Sequence, residues 1–113
     1  MHEIALAENI INIVISEMDK HGLTKIQSIK LRIGEMSHVM PEALIFGFEV
    51  MSKGTPLEGA KLIIESVATK GLCKKCGTEF IIKDMLDICP KCENPYFEII
   101  AGKELEITEF EGS

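Results

Sequence analysis

The sequence is poor in the residues that bind nucleic acids. It contains no tryptophan, one tyrosine and five phenylalanines, and its 18 acidic residues outnumber its 12 lysines and arginines, for a net charge of −6. Nucleic-acid-binding proteins instead present aromatic side chains for base stacking and basic surfaces that neutralise phosphates. We therefore expect no nucleic acid among the partners of this protein.

Long apolar segments are also missing. No apolar run approaches the roughly 18 residues that indicate a membrane-spanning helix. The first fifteen residues are rich in apolar side chains, but polar residues interrupt them at Glu3, Glu8, Asn9 and Asn12. No basic segment precedes them, as one would in a secretory signal peptide. We therefore expect a cytoplasmic protein that does not bind membranes.

The motifs of common enzyme classes are absent as well. The sequence shows no glycine-rich loop of the kind that cradles phosphates and no candidate nucleophile with a nearby base. This absence favours a binding or carrier protein over an enzyme.

All four cysteines lie in one short stretch. They form two Cys-x-x-Cys motifs, Cys73–Cys76 and Cys89–Cys92, separated by twelve residues. Two cysteines three positions apart can point into one turn, and two such turns supply the four sulfurs of a tetrahedral zinc site. Gly77 can adopt a positive φ and Pro90 presets φ for a tight turn. The spacing therefore predicts a structural zinc site.

Other uses of four cysteines remain open at this point. Two disulfides or free thiols are alternatives, although disulfides suit secreted proteins. A rubredoxin-like iron site also uses four sulfurs at tetrahedral corners. A thioredoxin-like redox pair would require one motif at a strand-to-helix junction rather than two around a short insert. Lys74, Lys75 and Lys91 lie inside the motifs and would offset the negative charge of four thiolates around zinc.

Hydrophobic periodicity predicts two helices and three strands. The helices are Ile4–His21, with apolar residues at helical spacing, and Pro41–Met51, with proline at its first position. Alternating apolar and polar residues predict strands at Lys25–Gly34, Ala60–Ala68 and Glu104–Phe110, and we expect the last strand to pair with the first sheet.

These elements predict an α+β fold in which a small domain of two helices and a three-stranded sheet is interrupted by a zinc ribbon with four cysteine ligands. The helical domain would comprise residues 1–69 plus 102–113, and the ribbon residues 70–101. Two short apolar runs, Phe80–Ile82 and Tyr96–Ile100, suit the strands of the ribbon. Because a ribbon of about thirty residues buries too little surface to fold alone, a metal would supply its stability.

The first three residues form a second candidate metal site. A free amine on Met1, the backbone amide and imidazole of His2, and the amide or carboxylate of Glu3 together offer four donors. This nitrogen-rich set suits Ni²⁺ or Cu²⁺, which accept planar nitrogen ligands, better than Zn²⁺. Second residues are also commonly frayed ends without function, so these three residues alone leave both interpretations open.

Several features occur together in a characteristic order: the beginning Met1–Glu3, the strand end Gly34–Glu35, the helix segment Ala43–Glu49 followed by Gly54–Thr55, and the cysteine quartet. In this order they resemble the HypA/HybF family, whose members are hydrogenase maturation proteins that deliver nickel to [NiFe] hydrogenases. The resemblance covers essentially the whole chain, and the combination makes it specific.

The resemblance implies a nickel metallochaperone with two metal sites. Ni(II) would be bound at the amino terminus around His2, with the Met1 amine and Glu3 as supporting donors. Structural Zn(II) would be held by Cys73, Cys76, Cys89 and Cys92. The implied partners are a nickel-handling hydrogenase-maturation GTPase and the [NiFe] hydrogenase large-subunit precursor, and some family members form homodimers.

The alternative function is that of a zinc-ribbon adaptor, which binds another protein without delivering a metal. In that case His2 would be incidental. The two functions differ in whether the zinc-loaded protein takes up one further Ni²⁺ ion.

Overall fold

The computed structural model describes residues 2–84 and 86–113, with His2 described by its backbone alone. The elements in chain order are α1 His2–His21, β1 Ile26–Gly34, a 3₁₀ turn Glu35–Ser37, α2 Pro41–Met51, β2 Lys61–Val67, β3 Lys70–Cys73, β4 Glu79–Ile81, β5 Phe97–Ala101 and β6 Leu105–Gly112. The strands form two three-stranded sheets in the orders β2-β1-β6 and β4-β3-β5. The predicted α+β class is confirmed.

The described residues group into two compact units. The first unit comprises residues 2–32, 39–65 and 106–113, and the second comprises residues 33–38, 66–84 and 86–105. The domain boundaries expected from the sequence, 1–69 plus 102–113 and 70–101, remain a prediction.

The first unit is built on the packing of α1 and α2. Spacing by three and four residues places the buried residues of α1 on one face: Ala7, Ile10, Ile11, Val14 and Met18. Leu44 and Phe48 are the large buried side chains of α2. A Cβ built on Gly47 would lie 3.5 Å from the carbonyl oxygen of Glu3 and from the Cα of Ile4. The amino-terminal end of α1 therefore lies directly against the middle of α2.

The last strand returns to the first sheet, as the sequence predicted. At one end the Gly34 amide donates to the Glu104 carbonyl at 2.8 Å, and at the other the Ser113 amide donates to the Lys25 carbonyl at 2.9 Å. Because the two partners run in opposite order along the chain, β6 is antiparallel to β1.

The second unit contains the sheet of the ribbon. β3 pairs antiparallel with both β4 and β5. Phe80 on β4 and Phe97 on β5 meet edge to face across β3, with ring centroids 5.5 Å apart. A Cβ on Gly71, which lies between them on β3, would come within 2.6 Å of Ile82 and 3.2 Å of Phe97. Glycine at position 71 therefore lets these side chains close over the strand.

Strand β3 was missed by the sequence analysis. Its four residues, Lys-Gly-Leu-Cys, contain one glycine and only one large apolar side chain, so they show no alternating pattern. The two ribbon strands that the sequence predicted are present, each shifted by one residue. Among the described residues, no helix is long and apolar enough to cross a membrane.

Two glycines in the segments that suggested the family differ in the space around them. A Cβ at Gly34 would overlap the backbone carbonyl of Gly102, whereas a Cβ at Gly47 would make ordinary contacts. We expect Gly34→Ala to lower the free energy of unfolding by about 1–3 kcal/mol, because the backbone must shift. Gly47→Ala, the matched control, should be neutral or stabilising, since alanine is the better helix former. Urea unfolding of both variants tests this; equal stability would contradict it.

Candidate metal centre

The four cysteines that the sequence singled out converge on one point. Their sulfurs all lie within 4.8 Å of one another. Two of the separations are 3.5 Å, between Cys73 and Cys92, and 3.6 Å, between Cys76 and Cys89. Sulfurs at the corners of a tetrahedron around zinc, each about 2.3 Å from the ion, lie about 3.8 Å apart. All four are free cysteines, and their spacing suits a tetrahedral zinc ion.

Backbone amides point at the first sulfur of each motif. The amides of Lys75 and Cys76 donate to Cys73 Sγ at 3.4 and 3.5 Å. The second motif repeats the pattern at the same two distances on Cys89 Sγ. Hydrogen bonds to sulfur favour the thiolate over the thiol. Each turn is therefore arranged to hold an anionic sulfur, which is the form that binds metals.

The two turns share one backbone feature. The residue after each motif has a left-handed conformation, with φ of 78° at Gly77 and 62° at Glu93. In each case its amide donates back to the carbonyl of the first cysteine, at 3.0 Å on Cys73 and 2.8 Å on Cys89. The positive φ predicted for Gly77 is present. The sequence does not predict a positive φ at Glu93, because residues other than glycine rarely adopt one. Only its place directly after the second motif corresponds to that of Gly77.

Local contacts separate the pKa values of the thiols. The amide of Cys76 is the largest influence on Cys73 and, with further hydrogen bonds, lowers its pKa to about 6 against the opposing effect of burial. The Thr78 hydroxyl, 3.1 Å away, lowers the pKa of Cys76. At Cys92 a hydrogen bond with Asn94 lowers the pKa, but burial and the neighbouring thiols outweigh it and raise the pKa to about 12. A metal ion binding all four sulfurs would therefore release a proton from Cys92.

Asn94 connects the two motifs and was not identified from the sequence. Its side-chain amide nitrogen lies 3.8 Å from Cys73 Sγ in the first motif. Its backbone carbonyl oxygen accepts a hydrogen bond from the backbone amide of Cys89 in the second motif at 3.0 Å. Its Oδ1 accepts the Tyr96 amide at 3.2 Å. Asparagine two residues after a cysteine motif is a weak sequence signal, so only the folded ribbon indicates this role.

The amino-terminal candidate site is described in part. Met1 lies outside the described residues, and His2 begins α1. The Glu3 carboxylate accepts the backbone amide of Met40 at 3.3 Å. Met40 is the residue immediately before α2. The side chain of Glu3 therefore ties the beginning of α1 to the beginning of α2, a contact that the sequence did not predict.

Comparison with known proteins gives a consistent result. Residues 1–112 match the family model described as "Hydrogenase/urease nickel incorporation, metallochaperone, hypA". A hydrogenase maturation factor HypA from Rhizobium leguminosarum bv. viciae is 37% identical over 111 residues, and one from Chloroflexus aggregans is 40% identical over 112 residues. Each alignment covers 98% of both chains.

Solved structures have the same fold. A solution structure of a HypA protein superposes with a TM-score of 0.76 at 25% identity, covering 100% of this chain and 97% of the other. The solution structure of the Ni metallochaperone HypA from Helicobacter pylori superposes with a TM-score of 0.67 at 21% identity, covering 97% and 96% of the two chains.

The left-handed conformation shared by Gly77 and Glu93 predicts how substitutions at these two positions change the stability of the protein. A non-glycine residue at positive φ is strained by about 1–2 kcal/mol. We expect Glu93→Gly to raise the free energy of unfolding by about 1 kcal/mol and Gly77→Ala to lower it by a similar amount. Thermal unfolding of the zinc-loaded variants measures both effects. Glu98→Gly, in β5, is the control and should destabilise, because glycine weakens a strand. If Glu93→Gly also destabilised the protein, the proposed equivalence of the two turns would be wrong.

Proposed function

Since the chain belongs to the HypA family of nickel-incorporation metallochaperones, we propose that it binds Ni(II) at its amino terminus and delivers it to the [NiFe] hydrogenase large-subunit precursor. The observation that supports this most is the full-length family match together with the Met1–Glu3 sequence. A nickel-handling maturation GTPase is the proposed second partner, and the cytoplasm the proposed location.

The four cysteines hold Zn(II) for a structural purpose in this proposal. The separations of the sulfurs and the two amides directed at each first cysteine support this assignment. Four protein ligands leave no open coordination position, so the zinc has no substrate to activate. Its role is to stabilise the ribbon, and the cargo ion needs a different site.

The cargo site uses nitrogen donors from the first residues: the Met1 amine, the His2 amide and imidazole, and the Glu3 amide. The fact that α1 begins at His2 supports this choice. Amides in the first turn of a helix have no carbonyl four residues earlier, so a metal on these amides breaks no hydrogen bond of the helix. The positive end of the helix dipole disfavours a cation there, and the Glu3 carboxylate in the first turn offsets it.

Glu3 supports the site by positioning, rather than by coordinating through its carboxylate. Its carboxylate is engaged by the Met40 amide, and its carbonyl oxygen faces Gly47 on α2. These contacts hold the first turn of α1 on a fixed surface, which lowers the entropy lost when the donors assemble around nickel.

Release follows from the same chemistry. Protonation of the amine, the imidazole or a metallated amide removes a donor, so nickel affinity falls as pH falls. Nickel held by a chain end can also pass to the ligands of a recipient protein, because the donors of the chain end can be exchanged one at a time. The site is thus able to hold nickel tightly and still give it up.

Removing the central donor tests the nickel site. We expect His2→Ala, or a one-residue extension before Met1, to weaken Ni²⁺ binding by about 100-fold or more, because each removes nitrogen donors from a chelate. Calorimetry on untagged protein measures nickel affinity, and elemental analysis counts zinc, which should remain at about one ion per chain. Unchanged nickel binding in both variants would contradict the proposal, and zinc-loaded wild-type protein that takes up no nickel would favour the adaptor function.

The role of Glu3 is tested separately. Glutamine can still accept the Met40 amide but is a poor metal ligand, so Glu3→Gln should keep nickel affinity within about threefold, whereas Glu3→Ala should weaken it about tenfold. Glu8→Ala, an exposed glutamate on the same helix, is the control. Equal losses for Gln and Ala would instead indicate that the carboxylate binds nickel directly.

A further inference from the structure

The outer face of α2 carries apolar side chains where a solvent-facing helix normally carries polar ones. Ile45, Phe46 and Val50 are 37%, 65% and 48% exposed, whereas Leu44 and Phe48 of the same helix are buried. A helix that is apolar on all sides is normally covered on all sides. The inward face of α2 is covered by the first unit, so the outward face lacks its cover.

Two of these exposed side chains form one patch. Phe46 and Val50 are four residues apart, so they are neighbours on the helix surface, whereas Ile45 lies about 100° around the helix from Phe46. Contiguous exposed apolar patches mark interaction sites, and an aromatic side chain near the centre of such a patch commonly contributes most of the binding energy. Phe46 has the properties of such an anchor.

Two carboxylates lie on the same face. Glu42 and Glu49 are one turn before and about one turn after Phe46, and both are exposed. Within the described part of the chain, neither carboxylate takes part in a salt bridge; Lys53, four residues after Glu49, is not within ion-pair distance of it. A partner that covers Phe46 also removes water from these carboxylates. Burying a carboxylate without a cation is costly, so the partner must supply positive charge.

A second copy of this chain fits the face poorly. In a two-fold pair of α2 helices centred on the patch, four carboxylates, Glu42 and Glu49 of both copies, would enter the interface against only the two Lys53 side chains that follow the helix. The helix has 11 residues and is about 16 Å long. One face of this length buries less than the roughly 800 Å² per partner of a stable interface. The face therefore suits a transient, basic partner.

We propose that the outer face of α2 binds a helix of another protein whose apolar stripe is flanked by lysine or arginine residues. The apolar stripe covers Phe46 and Val50, and the basic residues pair with Glu42 and Glu49. This is helix recognition of the kind in which spaced apolar anchors give affinity and flanking charges give orientation. The inference does not depend on nickel binding.

The probe is a designed helical peptide of about 18 residues, a length at which helices form in water. It carries a leucine stripe flanked by lysines, and a counterpart carries glutamate in place of each lysine. Titration into zinc-loaded full-length protein is followed by calorimetry and by backbone amide NMR shifts. We expect the lysine peptide to bind and to shift residues 41–51, the glutamate peptide not to bind, and added salt to weaken binding.

Variants assign the binding to this face. Phe46→Ser should weaken binding of the lysine peptide about tenfold or more. The double variant Glu42→Gln/Glu49→Gln should weaken binding of the same peptide at low salt. The matched controls are Tyr96→Ser, a 74% exposed aromatic residue, and the pair Glu98→Gln/Glu111→Gln, which removes the same charge elsewhere. Both should bind as the unchanged protein does.

Any of four titration results would overturn the proposal: no binding of the lysine peptide, equal binding of the glutamate peptide, unchanged affinity of Phe46→Ser for the lysine peptide, or equal losses in the control variants. Sedimentation of the protein alone is the remaining measurement. A dimer that Phe46→Ser abolishes would assign this face to a second copy and overturn the partner stated here. A monomer at the concentrations of the titration agrees with it.

Discussion

The clustering of four sulfurs within 4.8 Å of one another is the constraint on which the second unit depends. The buried apolar side chains of that unit, among the residues described, are Ile33, Cys73, Ile82 and Cys89. Two of these four are themselves candidate ligands. So small a core cannot offset the entropy of ordering the loops between three short strands. A metal ion that joined the two cysteine turns would replace the missing core, and the amides that both turns direct at sulfur favour the thiolates that bind metals.

The first unit depends on ordinary packing instead. One face of α1 is buried from Ala7 to Met18, and Gly47 lets the first turn of α1 lie against α2. From Glu3 onward the first turn of α1 therefore packs against a second helix, whereas chain ends are commonly loose. The proposed donors of the cargo ion would then lie at the start of a helix with one buried face, while the proposed zinc ion would stabilise a separate unit.

The sequence was most informative where a pattern repeats. The spacing of apolar residues located α1 and the three strands of the first sheet to within a few residues, and Pro41 marked the start of α2, because these signals are local along the chain. Strand β3 was missed because its Lys-Gly-Leu-Cys sequence has no repeating pattern. Its pairing depends on Gly71, whose missing Cβ makes room for Ile82 and Phe97. Such a fit involves residues distant in the sequence, and no local pattern reports it.

The sequence by itself determined the fold class, the cysteine quartet and the family, because ligand spacing, hydrophobic period and motif order are all properties of the linear chain. Only the tertiary structure decided that Asn94 reaches the sulfur of Cys73, that Glu93 shares the backbone conformation of Gly77, and that Glu3 meets the amide of Met40. It alone also showed that Ile45, Phe46 and Val50 of α2 stay exposed, since the sequence does not specify what covers the outer face of a helix. The physical reason is common to all four: hydrogen bonds and burial depend on what lies nearby in space, and the linear chain specifies only what lies nearby along itself.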